Sequence, residues 1–79
     1  MNDQEPITIN LTKDEALVLF EFLAEFNKVD HEDIFKDQAE QKVLWIVEGQ
    51  LEKILAEPFL PNYDDIIIEA RNNIRDKTW

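Results

Sequence analysis

The chain has no cysteine, no serine and a single glycine among its 79 residues. Without cysteine, disulfides and thiolate metal ligation are excluded. Serine and cysteine nucleophiles are excluded with them, and one glycine cannot build a phosphate-cradling loop. A single histidine, His31, leaves too few soft ligands for zinc. No cofactor, no metal and no catalytic set is therefore expected, and the chain reads as a non-enzyme. No basic segment followed by an apolar one opens the chain, so no secretory signal is expected and the default location is cytoplasmic. The longest apolar run is too short to span a bilayer.

Positive charge is also scarce. Eight basic residues face eighteen acidic ones, giving a net charge of −10. Residues 1 to 40 hold eleven acids and three lysines, net −8, whereas residues 41 to 79 hold seven acids and five basic residues, net −2. Phosphate contacts require clustered Lys and Arg, so neither direct nucleic-acid binding nor an anionic membrane suits this chain. A partner should instead be basic, such as a toxin, a nuclease or a cationic patch on an assembly. The alternative is that the charge serves solubility.

What the chain has in abundance is apolar helix. In Ala16 to Phe26 only Glu21 and Glu25 interrupt the apolar residues. At about 100° per residue, Asp14, Glu21, Glu25 and Lys28 share one stripe, which leaves apolar side chains on roughly two-thirds of the circumference. Such a helix has to be covered on several sides. Val18 and Phe22, beside the acidic stripe, are the positions hardest to cover from within one small chain.

The remaining segments are read in order. Residues 1 to 5 are polar and expected to be disordered. Residues 7 to 11 alternate, with Ile7, Ile9 and Leu11 against Thr8 and Asn10, as in a half-buried strand. No other stretch reads as its partner. The segment either lies extended across the helices, pairs with its copy in a second subunit, or is offered to another protein by strand addition. Thr12 to Glu15 forms a capping box that starts a helix over 13–28. Asp30, His31, Glu32 and Asp33 then form an acidic loop whose spacing fits neither a calcium nor a zinc site. Ile34 and Phe35 are expected to pin it to the core.

Asp37 caps a second helix over 38–56. Its apolar face is Ala39, Val43, Leu44, Ile46, Val47, Leu51, Ile54 and Leu55, with Gln41, Lys42, Glu48, Glu52 and Lys53 opposite. Trp45 falls on the polar side, one turn before Gly49. It is either an exposed binding anchor or a core residue buried by the connection over 57–63. Pro58 and Pro61 stiffen that connection, and Asn62 is placed to cap a third helix over 63–77. That helix groups Tyr63, Ile66, Ile67, Ala70 and Ile74, leaving Ile68, with Trp79 beyond the helix, as candidates for contacts with another chain.

Three phrases, Glu15 to Leu23, Asp37 to Trp45, and Leu51 to Phe59 continuing through Pro61 to Tyr63, resemble a group of small acidic bacterial proteins of no established activity. The resemblance spans about residues 7 to 75. It implies one self-contained domain and transfers no functional residue. The expectation is thus a mainly α domain over 6–79, a three-helix bundle with an extended or β amino-terminal segment. Its expected function is protein–protein binding, foremost as an immunity-type or antitoxin-like inhibitor that masks a basic surface. A self-associating adaptor, dimeric through the first helix or the amino-terminal strand, is the alternative, and a nucleic-acid mimic is the third. The candidate partner-binding residues are Trp45, Gly49, Asp14, Glu21, Glu25, Asp30, Glu32, Asp33, Ile68 and Trp79.

Overall fold

Three helices form in the computed structural model, which describes residues 5 to 76: α1 (Lys13–Phe26), α2 (Gln38–Ile54) and α3 (Tyr63–Ile74). Single 3-10 turns interrupt the connections at Glu32–Ile34 and Glu57–Phe59. No strand forms among the described residues.

Each helix start has a local cause. The Thr12 hydroxyl accepts from the Glu15 amide at 3.1 Å, and the Glu15 carboxylate accepts from the Thr12 amide at 2.8 Å. Both halves of the capping box are thus closed, satisfying two donors that α1 would leave orphaned. At α2 the Asp37 carboxylate accepts from the Ala39 amide at 2.7 Å. Glu40 reaches past the cap and accepts from the Lys36 amide instead, at 2.9 Å. Asn62, expected to cap α3, forms no side-chain bond there. Its backbone sits at φ −99°, ψ 27°, outside the extended conformation that turns a cap side chain toward the helix amides.

The helices end slightly earlier than their apolar patterns run. Lacking a glycine, α1 unwinds through Asn27 to Val29, and His31 Nε2 donates to the Phe26 carbonyl at 2.9 Å. α2 stops at Ile54 because Leu55 is extended, ahead of the Pro58 turn. At the end of α3, Arg75 turns extended and its guanidinium donates to the Asn72 side chain.

The core joins Leu17, Phe20 and Leu23 of α1 to Ile67 and Ala70 of α3, with Leu51 and Leu55 from the end of α2. No polar residue is buried among those described. Two side-chain bonds tie α1 to α3: the Tyr63 hydroxyl donates to Glu21 at 3.0 Å, and Asn73 Nδ2 donates to Asp14 at 3.0 Å. A third bond, from Asn27 Nδ2 to Glu48 at 2.7 Å, ties α1 to α2.

Several sequence expectations change here. The alternating segment over 7–11 is extended but does not lie across the helices, since Ile7 is 90 % and Ile9 79 % exposed. Of α2's eight expected apolar core positions, Leu51 and Leu55 are buried and Leu44 and Val47 are partly buried, whereas Ala39, Val43, Ile46 and Ile54 are exposed. The eight positions span too wide an arc for one neighbour, and only the side facing α1 is covered. The connection after α2 does not close over Trp45. It crosses instead beside the start of α1, where Lys13 Nζ pairs with Glu57 at 2.9 Å. Ile34, expected as a loop anchor, is exposed; Phe35 alone packs inward.

Candidate protein-binding face

The loop between α1 and α2 is built on one ring. The His31 imidazole stacks on Phe26 with centroids 4.0 Å apart and an angle of 12° between the planes. Phe35 meets the same ring edge-on at 6.2 Å, and Phe22 stacks on it with centroids 5.5 Å apart. With His31 also bonded to the Phe26 carbonyl, the loop is held at both ends of its acidic turn. Its one histidine is therefore committed to closing the end of α1, and the carboxylates around it are left to face water.

Those carboxylates are Asp30, Glu32 and Asp33, all exposed and in no ion pair among the described residues. Glu32 lies on the wall of a shallow cleft of about 330 Å³, with Phe35, Lys36, Asp37, Gln38 and Gln41. Gln41 leads along α2 to Trp45 and then Gly49, each one turn further on the same ridge. Trp45 is 47 % exposed, so the indole is half seated and half offered to solvent. Beyond its chain neighbours and the backbone of its own helix, a Cβ on Gly49 would meet nothing within 4 Å, and its φ is not positive. The glycine is therefore required neither by backbone conformation nor by packing within this chain, and it leaves open space beside the indole.

The other sequence candidates lie elsewhere. Asp14 and Glu21 face α3, where they accept from Asn73 and Tyr63. Burial pushes the Tyr63 phenol well above its ordinary range, and the bond to Glu21 adds to that shift. Glu25 pairs with Lys28 at 3.1 Å on the exposed surface. Ile68 is exposed on α3. Trp79 lies outside the described residues, as do residues 1 to 4 and position 77. Val18 is partly buried against the core, but Phe22 stays 59 % exposed beside the acidic loop. The structure thus sets Glu32 on one cleft with Gln41, which begins the ridge that carries Trp45 and Gly49, and turns Asp14 and Glu21 toward α3 instead.

Phe26 and Phe35 are the residues whose role the sequence understated. The only available signal was a histidine and an aromatic flanking an acidic turn, five and nine positions beyond a helical Phe.

A second cleft, about 360 Å³, opens between Lys13, Glu57, Leu60 and Ile66. The hydrogen bond from Lys13 holds the Glu57 carboxyl below its usual range, although its Oε1 is covered and has no hydrogen-bond partner. No group of three or more His, Cys, Asp or Glu among the described residues is placed to hold a metal ion. No described helix is long and apolar enough to cross a membrane. No family model, curated protein or solved structure matches the chain, so its own geometry carries the functional reading.

Proposed function

We propose that this chain is a non-enzymatic, acidic protein-binding domain, best read as an immunity-type or antitoxin-like inhibitor that masks a basic surface on its partner. One observation carries the reading: an acidic loop braced on Phe26 stands at one end of an α2 ridge that presents a half-exposed tryptophan beside an unfilled glycine. Unpaired carboxylates steer a cationic partner over distances of about a Debye length, roughly 8 to 10 Å at physiological salt. A rigid indole then supplies contact area at small entropic cost, with Gly49 allowing the partner to approach the helix closely. Phe22, exposed on the α1 side of the loop, offers a further apolar contact. The cytoplasmic location expected from the sequence belongs to this reading and stands or falls with it.

The test is affinity capture from a lysate, using the parent chain and two variants in parallel. One variant is Trp45→Ala, and the other neutralises the loop as Asp30→Asn, Glu32→Gln and Asp33→Asn. The parent should retain a basic protein, losing it as salt rises, and Trp45→Ala should weaken binding tenfold or more. Capture of only acidic or neutral proteins, or binding indifferent both to salt and to loop neutralisation, overturns the reading.

A further inference from the structure

The outer side of α2 is a second, separate apolar surface. Val43, Ile46 and Ile54 fall within one narrow stripe of the helix, and all three are exposed. Trp45 projects about 100° away from Ile46, so this stripe is not part of the ridge described above. Val43 to Ile54 spans about 16 Å at 1.5 Å per residue. Lys42 and Lys53 border its solvent side, the only basic residues of α2.

The amino-terminal arm has matching features. Ile7, Ile9 and Leu11 recur every second residue along about 13 to 14 Å of extended chain. Glu5 lies two residues before Ile7 and would meet Lys42 or Lys53, whichever way the arm runs along the helix. The arm leaves α1 in extended conformation, since Thr12 sits at φ −69°, ψ 165° and both capping-box bonds hold it there. To reach its own α2, which runs antiparallel to α1, with Glu48 beside Asn27 and Glu57, just past its end, beside Lys13, the chain would have to double back at Leu11, directly against that fixed cap. An arm from another molecule meets no such restriction. Packing two α2 stripes against each other is less suitable, because an antiparallel pair sets the Lys42 and Lys53 flank of one helix against the same flank of the other.

We infer that the outer face of α2 is the docking site for the amino-terminal arm of a second copy of this chain. The exchange is reciprocal, so two arms and two α2 faces close a twofold dimer and leave the Trp45 ridge and the acidic loop uncovered. This goes beyond the inhibitor reading and does not depend on it.

Sedimentation velocity of the full chain and two variants tests the exchange. The parent should be a dimer at tens of micromolar. Ile7→Asn with Ile9→Asn, and separately Ile46→Ser with Ile54→Ser, should each raise the dissociation constant at least tenfold while leaving the circular dichroism of the helices unchanged. Mixing the two variants should restore a heterodimer, because one intact arm then faces one intact α2. A monomeric parent, a dimer that survives either pair of substitutions, or mixed variants that stay apart would overturn the proposal. Survival of the arm variant would point to α2 pairing, and survival of the α2 variant to arm–arm pairing.

Discussion

α1 and α3 cover most of their apolar residues, leaving Phe22 on one and Ile68 and Ile74 on the other exposed, whereas α2 leaves more than half of its own facing water. The α1–α3 seam combines Leu17, Phe20, Leu23, Ile67 and Ala70 with two side-chain bonds between the helices. α2 contributes Leu51 and one bond through Glu48, while Val43, Trp45, Ile46 and Ile54 stay exposed. A chain of this size has little apolar surface to spare, so such a helix is the part of the fold most open to use by other molecules.

The largest expected effect lies in the seam. Phe20→Ala should cost about 3 to 5 kcal/mol in urea unfolding, much of the stability of so small a domain. Next comes Tyr63→Phe, which removes the phenol donor to Glu21 and should cost about 1 kcal/mol near pH 7. Its pH dependence has a definite sign. Because the folded-state pKa is raised, the tyrosine's contribution is complete below the ordinary value of about 10 and is lost as pH rises beyond it. Melting temperatures taken across the alkaline range should fall in the parent, and that part of the fall should be missing in the phenylalanine variant. Gly49→Ala, on α2, should stabilise the isolated protein by about 0.5 to 1 kcal/mol in the same urea assay. If the space beside the indole receives a partner, this more stable variant will also bind less tightly.

The helices were legible in the sequence because their starts depend on short-range chemistry. Thr12 with Glu15, and Asp37 with the amide of Ala39, act within three residues and need no knowledge of the rest of the chain. Much of α1's burial was legible too, since only a covered helix tolerates so few polar positions. What stayed hidden depends on tertiary direction. Eight apolar positions on α2 do not reveal which side meets α1, and so the exposure of Val43, Ile46 and Ile54 could not be read. Trp45 left two alternatives open for the same reason: whether the connection covers it depends on the path after Pro58. The Lys13–Glu57 pair, 44 positions apart in the chain, lies along that path on the side of α1. His31 looked like part of a polar loop because stacking on Phe26 leaves no periodic trace.

The contrast between the seam and the outer side of α2 is tested most directly by replacing Val43, Ile46 and Ile54 together with serine. Serine has nearly the helix propensity of the residues it replaces, so the change removes apolar surface with little effect on the helix itself. Urea unfolding, followed by tryptophan fluorescence at sub-micromolar concentration, should give a free energy within about 1 kcal/mol of the parent, as for surface positions. A loss of 3 kcal/mol or more, on the scale of Phe20→Ala, would contradict the division by showing that the outer face of α2 belongs to the core.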